Sequence, residues 1–386
     1  MSRKIRMGMV GGGRGAFIGT VHRMAAAIDN EIELVCGAFS SDPQKSKDSG
    51  KDWYVDEDRS YGSYQEMFDA EKAREDGMDF VCIATPNHMH FPVAKAALEA
   101  GINVMSDKPA TFNSAEARDL RELVNSSGLL YGLTHNYTGY PLVKEARHIV
   151  ASGGIGKVRK IVVEYPQGWL ATNLEADDQK QAAWRTDPAR AGSSCCMGDI
   201  GTHAENLAEY ITGEEIDELA CEFTSFVDGR VLEDDGNCLV RYKSGAKGIL
   251  YASQISVDEE NGLAIRVHGE TGGLYWRQDD PNTLIRAYAD RYREVIRPGG
   301  NYADRLSPAA AAACRIPAGH PEGYLEAFAV LYRNYANTLR KRLNGEEPNE
   351  IDLDFPTIDD GVRGMAFIDA CVESAKNNAA WTKLED

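Results

Sequence analysis

The chain has 386 residues, 60 acidic and 42 basic, for a formal charge of -18 at pH 7. That balance argues against nucleic acid as a partner, because phosphate binding needs a positive surface. The length suits two domains whose cores need no staples. No apolar run approaches the roughly 18–20 residues of a membrane span, and the N-terminus lacks the apolar stretch of a signal peptide. The eight cysteines form no C-x-x-C pair and read as buried free thiols. The expectation is a cytoplasmic protein with no membrane partner.

The first third alternates apolar runs with amphipathic segments. The runs are IRMGMV (5–10), IELVCGAF (32–39), DFVCIAT (79–85), INVMS (102–106) and LLYGLTH (129–135). Between them lie helix-like stretches such as FPVAKAALEAG (91–101) and NSAEARDLRELVNSSG (113–128), the latter capped by Asn113 or Ser114. Strands apolar throughout, alternating with helices, predict a parallel sheet covered on both faces. After about residue 140 a helix, PLVKEARHIVASGG, leads into longer strands: VRKIVVEY, ELACEFTSFVD, NCLVRYKSG, KGILYASQISV, GLAIRVHGE and GGLYWRQ. Their short connections predict antiparallel pairing. Residues 288–320, with five alanines at 309–313, read as an irregular loop, and two helices at about 322–343 and 357–375 close the chain.

Directly behind the first run, GGGRGA supplies Gly11-x-Gly13-x-x-Ala16. In a strand–turn–helix setting the first glycine permits the tight turn. The second leaves room for a pyrophosphate, and the small Ala16 lets helix and strand pack. The helix N-terminus then faces the phosphates, with Arg14 and Phe17 beside it. At the end of the second run, the position where an acid usually binds the ribose hydroxyls holds Ser40, followed by Ser41, with Lys45 close behind. Hydroxyls and a lysine suit a 2′-phosphate, so NADP is slightly favoured over NAD. Asp42, two residues late, is the alternative NAD ligand.

Three further clusters carry candidate chemistry. TPNHMH (85–90) follows the third run, where ligands bind in such sheets, so Thr85, Pro86, Asn87 and His90 are candidate cofactor contacts. The two histidines lack neighbouring cysteine or carboxylate, and no metal is expected. In SDKPA (106–110), Lys108 sits at the sheet mouth beside Asp107, and Pro109 keeps it out of a helix. Lys108 either polarises a substrate hydroxyl or is an exposed turn lysine. In GDIGTHAENLAEYITG (198–213), Asp199 and His203 are four apart near a helix start. A carboxylate orienting an imidazole is a general-base arrangement; a capping Asp with a packing His is the alternative. Trp169, Trp184 and Tyr137 either offer faces to a sugar ring or belong to the core.

The glycine turn, TPNxxH, the (E)KP motif at 107–109, WRTDP…AGSSCCMGDIGTH (184–203), GHPEGYLEAF (319–328) and DGVRGMAFIDACVESA (360–375) together resemble the Gfo/Idh/MocA family of glucose–fructose oxidoreductase and inositol dehydrogenase. The resemblance implies an α/β chain. An N-terminal Rossmann domain (1–138) would bind NAD or NADP. A C-terminal α+β domain (139–386) would carry a large, mostly antiparallel sheet through which a homodimer or homotetramer forms. It implies hydride transfer to or from a secondary alcohol of a sugar, sugar derivative or cyclitol. Lys108 would bind the reacting oxygen, His203 exchange the hydroxyl proton, and Asp199 orient His203 or substrate. Asn136, Trp184 and Arg185 would adjoin the cofactor, and Tyr137, Arg185 and His320 the substrate. Two departures stand out: Asp107 replaces the motif's glutamate, and Gly192-Ser193-Ser194 replaces a GGG. A redox-neutral, cofactor-retaining glycosidase and a non-catalytic dinucleotide sensor are the rival readings.

Overall fold

A computed structural model describes residues 3–177, 179–299 and 305–386. The chain folds into two compact units: Met1–Asn136 with Tyr324–Val362, and Tyr137–Gly323 with Arg363–Asp386. The division expected after residue 138 kept 324–362 with the second part, whereas these residues join the first unit.

The first unit begins with β1 (Ile5–Gly11), α1 (Phe17–Ile28), β2 (Ile32–Ala38), α2 (Pro43–Asp52) and α3 (Tyr64–Lys72). It continues with β3 (Phe80–Ala84), α4 (His90–Glu99), β4 (Asn103–Ser106), α5 (Ser114–Ser127) and β5 (Tyr131–Leu133). All its strand pairs are parallel, in the order β2-β1-β3-β4-β5. Every residue of β3 is buried, as a central strand packed on both faces requires. The order reverses at β1, which pairs with β2 on one side and β3 on the other, and such a switch point opens a crevice at the strands' C-terminal ends. Asn113, not Ser114, caps α5. Its side chain accepts from Glu116 N (3.0 Å) while Glu116 Oε2 accepts from Phe112 N (3.1 Å).

The second unit carries α6 (Pro141–Ala151), β6 (Val158–Pro166), α7 (Lys180–Arg185), α8 (Pro188–Ala191) and α9 (Thr202–Thr212). Then come β7 (Ile216–Thr224), β8 (Asp235–Tyr242), β9 (Lys247–Ser253), β10 (Ala264–Gly269), β11 (Gly272–Arg277), β12 (Leu284–Tyr288), β13 (Glu294–Ile296) and α10 (Pro308–Ala313). The last elements of the chain are α11 (Tyr324–Leu343), α12 (Ile358–Lys376) and β14 (Thr382–Lys383). The nine strands run β13-β12-β11-β10-β6-β9-β8-β7-β14, antiparallel throughout except β6 beside β9. On β8, Cys238, Val240 and Tyr242 are buried while Leu239 is 54% exposed, so one face is covered and the other open.

Part of the expected loop 288–320 is regular. The alanine run forms α10 because Ala has the highest helix propensity, Pro308 suits the first turn, and the Ser307 side chain accepts from Ala310 N. Residues 300–304 of that loop lie outside the described residues. α11 packs on α1 in the first unit: Tyr332, Phe328 and Tyr335 enter the core that also holds Met7, Phe80 and Ala25.

Candidate active site

The glycine turn joins β1 to α1. Gly11 has φ +80°, and a Cβ there would lie 2.6 Å from Ala84 O. At Gly13 a Cβ would meet Phe39 O at 2.5 Å, so this glycine also serves the close approach of the turn to the end of β2. The tightest strand–helix packing falls at Gly12 and Gly19, where a Cβ on Gly19 would sit 2.2 Å from Gly12 Cα. That role was expected of Ala16, which is instead the residue before the first turn of α1. No side chain caps α1 and no acid sits in its first turn, so its leading N–H groups remain suited to an anion. Phe17 is 64% exposed at that helix start. Arg14 turns to Asp52 (2.5 Å) and Asp48 (3.3 Å), so its charge is already matched within the turn's surroundings.

Two buried polar atoms fit a nucleotide. Thr85 Oγ1, at the C-terminal end of β3, and Asn136 Nδ2 have no hydrogen-bond partner among the described residues. A buried polar atom without a partner costs free energy unless a ligand supplies one. Pro86 and the buried Asn87 follow Thr85 in a short 3-10 turn. At the end of β2, the Asp42 carboxylate accepts from Gln44 N and Lys45 N and so caps α2, while Ser40 Oγ accepts from Asp42 N (3.2 Å). One oxygen of the nearest acid therefore serves a helix cap. Ser41 and Lys45 are exposed beside it.

His90, expected as a cofactor contact, ties two turns together. Its ring nitrogens lie 2.6 Å from Pro109 O and 2.9 Å from Thr85 O, binding the TPN turn to the KP turn, and burial lowers its pKa. Asp107 also meets several protein groups. Its Oδ1 accepts from Lys108 N (2.8 Å) and Thr134 Oγ1 (3.0 Å), and its Oδ2 lies 3.8 Å from His22 Nε2. His22 is fully buried on α1, and its Nδ1 is 2.7 Å from Tyr332 OH, which donates onward to Cys82 Sγ (3.1 Å). Burial opposes a charge on His22, but the Cys82 sulfur and the Asp107 carboxylate outweigh it and raise its pKa to about 10. Burial works against the Asp107 charge too, yet the nearby His22, then the Lys108 ammonium, pull its pKa well below the carboxylate range. His135 is pushed down to about 3 by burial and by Lys108, so it stays neutral. The Lys108–Pro109 peptide is cis.

In the second unit, Asp199 lies in a π-helical turn, Met197–Gly201, that runs directly into α9. Wide turns of this kind recur at functional sites. Ser194, one of the residues standing where the family has glycine, builds the turn. Its Oγ pairs with Glu233 (2.5 Å) and accepts from Gly198 N (2.9 Å), and Glu233 also accepts from Met197 N (3.0 Å). Burial raises the Glu233 pKa to about 7, against these hydrogen bonds. Asp199 Oδ2 accepts from Arg185 Nε (3.0 Å) and Gln254 Nε2 (2.9 Å). Arg185 lies over the rings of Trp184 (4.3 Å) and Trp169 (5.7 Å), which makes both tryptophans walls for the guanidinium.

His203, 8% exposed, meets the Tyr137 ring edge-on with centroids 4.9 Å apart. The Tyr137 hydroxyl bonds Tyr165 OH and accepts from Asn261 Nδ2 (3.3 Å), and Asn261 Oδ1 accepts from Tyr165 OH (2.7 Å) and Gln167 Nε2 (2.6 Å). Burial raises the Tyr137 pKa, so the phenol stays protonated. His320 takes no part in these contacts; it is exposed, with Nδ1 3.1 Å from Pro317 O of its own turn. Sequence reading missed His22, Tyr165, Gln254 and Asn261. Only His22 left a local signal, a histidine in register with Gly19, Ala25 and Ala26 on the buried face of α1.

A parallel sheet with its switch point behind a glycine turn, and two partnerless polar atoms at that mouth, define a dinucleotide-binding α/β protein. Residues 5–135 match the oxidoreductase family with an NAD-binding Rossmann fold, and residues 143–275 match the GFO/IDH/MocA C-terminal domain. An uncharacterized oxidoreductase of Bacillus subtilis (strain 168), YfiI, is 35% identical over 100% of this chain and 98% of its own. An inositol dehydrogenase homolog from Azotobacter vinelandii, solved with NAD+, is 36% identical with a TM-score of 0.93, covering 99% of this chain and 98% of that one. The same homolog solved with NADH and myo-inositol is 35% identical with a TM-score of 0.90, at 99% and 98% coverage. An oxidoreductase from Sinorhizobium meliloti is 44% identical with a TM-score of 0.89, covering 99% and 100%. The chain belongs to the Gfo/Idh/MocA family of NAD-binding oxidoreductases.

Proposed function

We propose that the protein transfers hydride between a nicotinamide cofactor and a secondary alcohol or ketone of a cyclitol, sugar or sugar derivative. The first unit binds the cofactor and the second binds the polyol. When bound, the cofactor supplies the hydride acceptor or donor at its nicotinamide ring. Thr85 Oγ1 and Asn136 Nδ2 meet its polar groups, and the uncapped start of α1 meets its phosphates. Lys108 donates a hydrogen bond to the reacting oxygen and stabilises negative charge there. His203 accepts the hydroxyl proton during oxidation and returns it during reduction. Asp199, held by Arg185 and Gln254, accepts a substrate hydroxyl proton in a hydrogen bond and fixes the ring's orientation.

The observation that carries this reading is that Asp199, held by Arg185 and Gln254, lies four residues before His203, which packs on Tyr137, in a protein of this family. A dehydrogenase for polyhydroxylated rings needs such a set of donors and acceptors; a sensor does not. The relative solved with myo-inositol supports a cyclitol as the first substrate to try. On the open face of the large sheet, Leu239 (54% exposed) pairs across strands with Ile249 (39% exposed), and we propose that this apolar face joins copies of the chain.

The test is a panel of inositols and monosaccharides assayed for NAD(P)H formation, with His203→Ala beside the wild type. Oxidation of at least one ring alcohol is expected. General acid–base assistance is worth about 10²–10⁴-fold, so turnover of the variant should fall by at least about 10² while its cofactor affinity is kept. A variant with near-normal turnover removes His203 from the mechanism. Glycoside cleavage without net NAD(P)H would replace the dehydrogenase reading.

A further inference from the structure

Three cysteines far apart in sequence meet in the second unit. Cys221 lies on β7, Cys238 opposite it on β8, and Cys371 on α12, with all three sulfurs within 4.8 Å of one another. The Cys238 thiol donates to Cys221 Sγ at 2.8 Å, and Cys371 Sγ is 3.7 Å from Cys238 Sγ. Their exposures are 0%, 2% and 0%.

The strand register gives the first pair its character. Cys221 N donates to Ser374 Oγ (2.8 Å), and on the same side of β7 Leu384 N donates to Asp217 O (3.0 Å). The backbone of Cys221 therefore faces away from β8, which makes Cys221 and Cys238 a non-hydrogen-bonded pair. Such pairs hold their Cα atoms about 4.5 Å apart, with side chains closer than elsewhere in a ladder. That spacing falls inside the disulfide window of roughly 4.4–6.8 Å. Hydrogen bonds from Cys238 and then Cys371 lower the Cys221 pKa, while burial raises that of the other two.

A metal is the competing use of three thiols. Tetrahedral zinc wants four ligands, and among the described residues the group contains three. Two or three thiolates around a monovalent ion would also leave net negative charge in a water-excluded site, which is costly. A disulfide is neutral and carries no such cost.

We infer that Cys221 and Cys238 form an oxidisable thiol pair, closed to a disulfide by a hydroperoxide, with Cys371 as the exchange thiol. The Cys221 sulfur attacks the terminal peroxide oxygen; the S–O bond forms, the O–O bond breaks, and the alcohol or water leaves with the proton that the thiol gives up. The Cys238 sulfur then attacks the sulfenic sulfur; the S–S bond forms and water leaves. Two thiols give up two electrons and the peroxide takes them. Attack by Cys371 on the Cys238 sulfur passes the bond to Cys238–Cys371 and frees Cys221, with no net redox change. This inference is independent of the proposed substrate.

The experiment uses the full chain, fully reduced and desalted, then exposed to hydrogen peroxide, blocked with N-ethylmaleimide after unfolding, and mapped by mass spectrometry. Two of the eight thiols should escape alkylation, with a peptide pair joined through Cys221 and Cys238. Cys371→Ala should keep that link, and Cys238→Ala should lose it. The wild-type map alone decides the matter if a variant does not fold. Full alkylation, links confined to other cysteines, or Cys221 driven to sulfinic acid without any disulfide would each overturn the inference. So would a metal adduct in the native mass spectrum of untreated protein.

Discussion

Replacing His22 with alanine takes away the imidazole that faces Asp107 Oδ2 at 3.8 Å in a fully buried position. The His22 pKa is raised from 6.5 to about 10, against burial, by the Cys82 sulfur and then the Asp107 carboxylate. Removing one partner of a buried ion pair costs about 3–5 kcal/mol because the other charge is left uncompensated. His22→Ala should therefore destabilise the first unit by up to about 3–5 kcal/mol near pH 6. The sign of the pH dependence follows from the raised pKa. The His22 contribution is complete below 6.5 and disappears as pH rises through about 10, so the gap between variant and wild type should narrow on the alkaline side. The Asp107 contribution runs the other way, present above the ordinary carboxylate range and lost only as pH falls through its depressed pKa. Hydrogen exchange of peptides from β1, β3 and β4 reports this unit apart from the other. A gap under about 1 kcal/mol near pH 6 is far below the cost of breaking a buried pair. That result, or a gap that stays constant into the alkaline range, would show that His22 carries no charge toward Asp107.

Thr85→Val should raise the dissociation constant for the dinucleotide about 2- to 10-fold, the worth of one neutral hydrogen bond of about 0.5–1.5 kcal/mol. The melting temperature should hold, because the lost hydroxyl has no protein partner; fluorescence titration and a thermal scan check both. With Asp42 capping α2, NADPH should bind at least as tightly as NADH, and Ser40→Asp should reverse the order; paired titrations decide, and tighter NADH binding by the wild type would refute the reading of Ser40. Gly19→Ala drives a Cβ to 2.2 Å from Gly12 Cα, a backbone atom. Overpacking of this kind costs about 1–3 kcal/mol, so both the melting temperature and dinucleotide affinity should drop.

The sequence by itself determined the parts set by local rules. The apolar runs at 5–10 and 79–85 and the glycines behind the first announce a parallel sheet and its phosphate turn, because a strand buried on both faces must be apolar throughout and a positive φ demands glycine. Asp199 and His203 read as one cluster because four residues is about one helical turn. Only the tertiary structure decided which atoms those side chains meet. Position 42 reads as the alternative ribose ligand, and only the structure shows that its carboxylate also caps α2. His90 reads as a ligand contact until two carbonyls, one of them 19 residues on, take both its nitrogens. His22 and Asp107 are 85 positions apart, and Cys371 lies 133 positions from Cys238. Periodicity and spacing carry information over a turn or two of chain. Burial, pairing and pKa depend on whatever neighbour the fold delivers, and no short-range pattern encodes that neighbour.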